Sequence, residues 1–332
     1  MVEIFAGGGQ QSIAKGVDVH DVALARPASL FVGKVGDSTV SGRGTIYIVD
    51  ADLGTLIQIG PDDTIQKISS GMNDPHGISG LNGGMAGYIP AFADSGNNRI
   101  VEQSSDANPA VLLGNEAGLS SPLGVAAGYD GLYIADTANQ RILFALHLLD
   151  TGKPDISTVV GTGVNGFAGD GGQPTDAELS DPSAIAYDDA DYRLLIADSG
   201  NHRLRSAWLG GSAIETIAGN GETTSLPYDP TLAATDTPLS EISAVDVDSI
   251  GSVYFPVRWS DIGETVMRLD PYGTFTRIVG GGTSTAGGVA SLNFQLPDVL
   301  ALELNQFDGS LLIGAANGVV YRVAGVGPFT SN

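Results

Sequence analysis

The chain has 332 residues, 42% of them hydrophobic, and 38 acidic against 15 basic side chains give a formal net charge of −23. The apolar fraction excludes a disordered chain, the 47 glycines show no G-X-Y period and so exclude collagen, and the lack of cysteine excludes a disulfide framework, a thiolate zinc site and a Cys nucleophile. A field this negative repels phosphate, which argues against a nucleic-acid reader and against docking to anionic lipid.

The start, Met1-Val2-Glu3-Ile4-Phe5, has neither a basic n-region nor an apolar h-region, so no signal peptide is read there. No apolar run approaches the ~18 residues of a spanning helix; the longest, over 142–149, is interrupted by His147. A soluble protein is expected, cytoplasmic or part of a virion. Asp outnumbers Glu by 29 to 9, and Arg outnumbers Lys by 11 to 4. Asp bonds its own backbone in turns, whereas Glu and Lys belong on helix surfaces, so many turns and few helices are expected. Adaptation to a salty medium and calcium binding are the other readings of that excess.

In chain order, residues 2–6 read as a strand, Val2-Glu3-Ile4-Phe5-Ala6, followed by glycines. A first repeated phrase then opens with Pro, a variable residue, a small residue and an aliphatic one. It stands at Pro75-His76-Gly77-Ile78, Pro122-Leu123-Gly124-Val125 and Pro182-Ser183-Ala184-Ile185, with weaker copies at 27–30, 242–245 and 297–300. A second phrase is strand-like and ends in Asp, as in Ile46-Tyr47-Ile48-Val49-Asp50, Leu132-Tyr133-Ile134-Ala135-Asp136 and Leu194-Leu195-Ile196-Ala197-Asp198. The copy at 89–94 is looser, and those at 253–257 and 311–315 lack the Asp. A tight turn follows, Asp94-Ser95-Gly96-Asn97-Asn98-Arg99, Asp136-Thr137-Ala138-Asn139-Gln140-Arg141 and Asp198-Ser199-Gly200-Asn201-His202-Arg203. There Gly and Asn are expected to take the positive φ. A fourth strand closes the unit, as over 156–161 and 214–219.

Four strands per unit with short turns is the pattern of a propeller blade. Unit starts near 27, 75, 122, 182, 242 and 297 give six blades in a single domain over 1–332. The sixth unit lacks a fourth strand, while 2–9 matches the strand-and-glycine phrases at 214–221 and 275–282. Residues 1–8 are therefore expected to complete the last blade and close the ring.

Asn201-His202-Arg203-Leu204 resembles the signature of the NHL-repeat family. The stretch 161–172, Gly161-Thr162-Gly163-Val164-Asn165-Gly166-Phe167-Ala168-Gly169-Asp170-Gly171-Gly172, followed by Ala177-Glu178-Leu179 and Pro182, is similar to NHL propellers of the bacterial and teneurin type. The resemblance covers nearly the whole chain, strongly in units 2 to 4 and weakly in units 1, 5 and 6. It implies a six-bladed all-β propeller but no single activity, since the family includes interaction scaffolds and a few enzymes.

The pairs Asp94/Arg99, Asp136/Arg141 and Asp198/Arg203 recur at one place in each blade, so they are read as hairpin clamps rather than as a ligand ring. The Gly-rich stretch 161–172 lacks the Lys-Ser/Thr of a phosphate loop and reads as a blade-to-blade connection, with diverged copies at 219–239 and 280–296. Asp170 and Asp176 are weak calcium candidates without EF-hand spacing. The residue after each repeat Pro begins the inner strand beside the axis. Those positions hold Ala28, His76, Leu123, Ser183, Ser243 and Asp298. One His among six does not match the metal triad of the amidating lyase, a zinc propeller related to the NHL family. His202 in a turn and His147 at a strand end read as structural. His76, Asp298, Ser183 and Ser243 remain the ligand candidates at the channel rim, with a polar, water-filled mouth as the plainer reading of the His76–Asp298 pair. Arg258-Trp259-Ser260-Asp261 replaces the Asn-rich turn, which makes Trp259 and Arg258 interface candidates if the Trp is exposed.

These readings converge on a non-catalytic propeller that binds or organises partner proteins, basic ones among them, alone or within an oligomer or larger assembly such as a phage virion or tail. No cofactor is expected, with calcium as the exception to look for. The rival class is a lyase or lactonase-like hydrolase with a metal at the channel mouth.

Overall fold

Six sheets of four antiparallel strands surround a common axis in the computed structural model, which describes residues 1–15, 17–33, 44–60, 62–82, 88–103, 109–129, 131–146, 148–149, 153–211 and 213–326. Blade 1 comprises β2 (Pro27–Gly33), β3 (Thr45–Asp50), β4 (Thr55–Ile59) and β5 (Ile65–Ser70). Blade 2 comprises β6 (Pro75–Asn82), β7 (Tyr88–Asp94), β8 (Arg99–Glu102) and β9 (Ala110–Leu113), and blade 3 comprises β10 (Val125–Ala127), β11 (Gly131–Asp136), β12 (Arg141–Leu146) and β13 (Asp155–Val160). Blade 4 holds β14 (Pro182–Asp188), β15 (Arg193–Asp198), β16 (Arg203–Trp208) and β17 (Ile214–Ala218), and blade 5 holds β18 (Asp246–Val247), β19 (Val253–Trp259), β20 (Gly263–Leu269) and β21 (Phe275–Gly280). Blade 6 is β22 (Val299–Asn305), β23 (Ser310–Ala315), β24 (Val319–Val323) and, as its outer strand, β1 (Val2–Gly7). Val2 pairs with Val323 and Gly7 with Val319, so the N-terminal strand closes the ring as expected, one residue longer than read from sequence.

The second strand of each blade is sandwiched between both neighbouring blades, which is why it reads as an apolar run rather than an alternation. Every residue of β3, β11 and β23 is buried. The hydrophobic core is accordingly six cores, one between each pair of adjacent blades. Tyr47 and Leu56 meet Ile78 and Phe92 between blades 1 and 2, and Leu195 and Leu204 meet Phe255 and Met267 between blades 4 and 5. Each interface adds its own burial, so stability is distributed around the ring.

The repeated Asp is a buried clamp. Asp94, Asp136 and Asp198 are fully buried at the end of the second strand. One oxygen of each accepts the backbone N–H two residues before the repeat Pro, from Asn73, Ser120 and Ser180, while the other accepts Asn97, Asn139 and Asn201 of the turn. Asp50 does the same for Ala25 in blade 1. The Asp thereby ties the incoming connection to the hairpin, satisfying orphan donors that would otherwise be costly.

Arg99 and Arg141 complete the clamp through their Nε atoms, at 2.7 and 2.9 Å from Asp94 and Asp136. The third pair is not formed as expected. Arg203 lies 3.9 Å over the Phe167 ring and donates to the carbonyls of Asn201 and Asn220. Fully buried Arg205 takes its place, 3.4 Å from Asp198 and 2.7 Å from Asp170. The turn geometry also differs from expectation. Positive φ falls on Asn98, Gln140 and His202, not on the glycines. Gly96 and Gly200 are needed for space, because a Cβ would meet the Asn73 side chain at 2.4 Å and Ser180 Oγ at 2.2 Å.

The Gly-rich stretch is a blade-to-blade connection, and its copies share one shape. Gly161, Gly219 and Gly280 leave the outer strands at φ near 90°, and a single 3-10 turn follows at 174–176, 234–236 and 291–293. His147 lies outside the described residues. Among the described residues, no helix is long and apolar enough to cross a membrane.

Candidate functional site

The inner strands surround an axial cavity of about 380 Å³, lined at its mouth by Arg26, Ala28, His76, Leu123, Ser183 and Ser243. Each inner strand is an edge strand, so its axis-facing N–H and C=O groups need partners from outside the blade. Neighbouring blades supply them. Ser29 and Ser79 accept the N–H of Ile78 and Ala127 in the next blade. Ser183 donates to the Ile242 carbonyl and Ser243 to that of Val299. Glu303 accepts Val32 N–H, and Asp246 accepts Leu304 N–H.

Two of the four rim candidates, His76 and Asp298, lie in clusters built around an arginine. Arg26 bridges blades 1 and 2, bonded to Asp52 at 2.7 Å and to Asp74, with its Nη1 3.4 Å from His76 Nε2. Burial pushes the His76 imidazole down from its usual value, opposed by the Asp74 carbonyl and carboxylate. The neutral ring is therefore the form that stands at the mouth at pH 7. Arg258 bridges blades 5 and 6, with Asp298 on one side and Glu264 at 3.1 Å on the other. Burial pushes the Glu264 carboxyl up to about 7, against the pull of Arg258. His76 and Asp298 thus belong to separate clusters, each with its own arginine.

Trp259 is 2% exposed, so the condition for an interface role is not met. Its ring meets Tyr228 edge-on at 5.1 Å and its indole N–H donates to Thr265. The insertion-like turn carries a packed Trp because the connection 219–241 delivers Tyr228 onto it. Asp170 is bonded to Arg205 and to the Thr216 hydroxyl, while Asp176 is exposed in the first 3-10 turn of the connection. Among the described residues, no group of three or more His, Asp or Glu side chains is placed to hold a metal ion.

Asp246 and Glu303 were not singled out by sequence reasoning. The available signal was a carboxylate four residues beyond Ile242, where blades 3 and 4 carry Ala126 and Ala186. Both line the axial cavity. Burial pushes Asp246 up to about 7 and Glu303 well above its usual value, each raised further by acidic neighbours, Asp248 for Asp246 and Asp246 for Glu303. Around them stand Tyr254, which donates to Asp248, and Arg268, bonded to Ser252. Because the folded state holds these protons more tightly than the unfolded chain does, their ionisation opposes folding. Their contribution is full below pH ~4 and is lost as pH rises through 7 and above. Glu303→Gln keeps the acceptor for Val32 and removes one charge. It is expected to melt about 2 °C or more above the parent at pH 8 and with it at pH 4, by calorimetry. An equal difference at both pH values would count against the ionisation.

No protein-family model matches the chain, and no curated protein matches it. The fold defines it as a six-bladed β-propeller, and solved propellers resemble it. An auxiliary nutrient binding protein from Bacteroides ovatus superposes with a TM-score of 0.69 at 13% identity, over 97% of this chain and 76% of that one. A gluconolactonase from Xanthomonas campestris gives 0.54 at 14%, over 91% and 86%. A catalytically inactive virginiamycin B lyase from Staphylococcus aureus, solved with quinupristin, gives 0.52 at 15%, over 85% and 77%. At these identities the likeness is one of fold.

Proposed function

We propose that this chain is a non-catalytic, NHL-type propeller that binds or organises partner proteins. One observation carries the reading. All four rim candidates bond across to a neighbouring blade: His76 to Arg26, Ser183 to Ile242, Ser243 to Val299 and Asp298 to Arg258. Groups committed to stitching the ring serve its rigidity, and a rigid disc presents its loops at little ordering cost on binding. The NHL assignment is supported by the Asp-Asn-Arg clamps of blades 2 and 3, whose geometry repeats. A virion part is one setting for such a disc, and a bacterial interaction module is the other.

The test is in-cell photocrosslinking from residues on each disc face, with elemental analysis of the purified protein. A protein crosslinked at stoichiometry, from one face, is the expected result. Stoichiometric metal lost on His76→Ala or Asp298→Asn, together with turnover of a lactone, would replace this reading with the hydrolase one.

A further inference from the structure

The two faces of the disc differ. The antiparallel order puts the turns between first and second strands, and between third and fourth strands, on one face. That face carries Tyr272 at 95% exposure, Tyr129 at 82% and Tyr192 at 52%, with Ile250, Trp208 and Phe307 also exposed. Phe167 is the exposed aromatic of the opposite connections among the described residues. Tyr192 meets Tyr187 edge-on at 6.2 Å, and Tyr187 in turn lines the axial cavity and stacks on Tyr133 at 5.3 Å. A continuous aromatic track therefore runs from the axis to the surface in blades 3 and 4. Tyr and Trp are the side chains that anchor interfaces, since they bury a large area for few torsions.

Acidic side chains outnumber basic ones in the described turns of the same face. Asp189, Asp191 and Asp270 stand beside Tyr192, Ile250 and Tyr272 in the turns of blades 4 and 5. Asp270 is held below the usual carboxylate range by the N–H groups of Thr274 and Tyr272, so it stays ionised. The arginines there are engaged: Arg193 lies 2.9 Å from Asp188 and 3.8 Å from Asp191, Arg268 bonds Ser252, and Arg322 bonds Asp308. Lys153 is the lysine of these turns among the described residues.

We infer that the blade 4–5 sector of this face is the docking surface, and that its occupant is a protein segment carrying Lys or Arg between apolar side chains. The inference rests on the binding reading above and specifies its surface and partner chemistry. Aromatic anchors supply the buried contact, and the carboxylates of Asp189 and Asp270, together with Asp191, which lies 3.8 Å from Arg193, select a basic partner over an acidic one.

The probe is a fluorescein-labelled twelve-residue peptide alternating Lys with Leu or Trp, with its Glu-for-Lys counterpart, read by anisotropy at physiological salt. Two variants remove equal charge: Asp189→Asn, Asp191→Asn and Asp270→Asn on this face, and Asp176→Asn, Glu222→Gln and Asp236→Asn on the other. The first is expected to weaken binding about tenfold and the second less than about twofold, with the acidic peptide bound by neither. Tyr192→Ser with Tyr272→Ser is expected to cost about fivefold or more at unchanged melting temperature. Equal losses from the two charge variants would mean a long-range field only and would overturn the surface. Tight binding that maps to the opposite face, or to a second copy of this chain, would also overturn it while leaving the binding reading standing. Absence of any preference for the basic peptide would overturn the partner chemistry.

Discussion

Removal of residues 1–8 is expected to lower the melting temperature by about 10 °C. Strand β1 is the outer strand of blade 6, and without it β24 becomes a free edge. Two side chains of β1 also belong to different cores. Fully buried Val2 packs between blades 5 and 6, and fully buried Ala6 packs between blades 6 and 1. Val2 further exchanges backbone bonds with Val289 and Gly288, and Gly7 N–H donates to Val19. Burial of Val2 and Ala6 contributes about 3 kcal/mol, and the lost backbone bonds about 1 kcal/mol each, so the sum is on the order of 6 kcal/mol. At about 2 °C per kcal/mol for a chain of this size, the shift follows. Differential scanning calorimetry reads it, and a synthetic peptide of residues 1–8 should restore part of it by strand addition. An unchanged melting curve would show that the ring does not depend on this closure.

The second large effect is expected at Arg205. Its guanidinium is wholly buried and donates to Asp170, Asp198 and the carbonyls of Glu178 and Ala168. It joins the connection 161–181 to the clamp of blade 4. Asp198 is pushed up chiefly by burial, and Ser180, Asn201 and Arg205 oppose that push. Arg205→Met leaves the carboxylate without its counter-charge and both carbonyls without a donor, at a cost of about 3–5 kcal/mol. Arg205→Lys is expected to recover less than half, since one ammonium cannot span four acceptors set for a planar fork. Arg203→Met, which loses stacking on Phe167 and two carbonyl bonds, is expected to cost about 1–2 kcal/mol. Urea denaturation of the three variants ranks them, and equal costs at 203 and 205 would contradict the assignment of the clamp.

The blades were legible because their signals are local. The alternation of turn chemistry and apolar runs repeats in sequence order, and the Gly at the end of the outer strand takes a positive φ in five of the six blades, at Gly7, Gly71, Gly161, Gly219 and Gly280. The match between 2–9 and 275–282 was enough to find the closure. The Asp94/Arg99 and Asp136/Arg141 clamps were legible for the same reason, since both partners sit in one hairpin. The repeat phrase located the inner strands of blades 1, 2 and 4, where the residue after Pro lies within β2, β6 and β14.

What escaped is non-local. Arg203 and Arg205 lie on the same side of β16, two residues apart. Which one pairs with Asp198 depends on where Phe167 lands, and Phe167 arrives from a connection some thirty-five residues earlier. Trp259 is buried because Tyr228 comes from the preceding connection. Glu303 and Asp246 gain their meaning only when neighbouring blades bring Val32 and Leu304 to them. The sequence by itself determined the number of blades, their strand order and the closing strand, since each depends on propensity and turn geometry within about fifty residues. The tertiary structure decided which charges pair, which aromatics are covered and which face keeps them exposed. Those outcomes depend on distances between blades, and a chain specifies such distances only once the ring is closed.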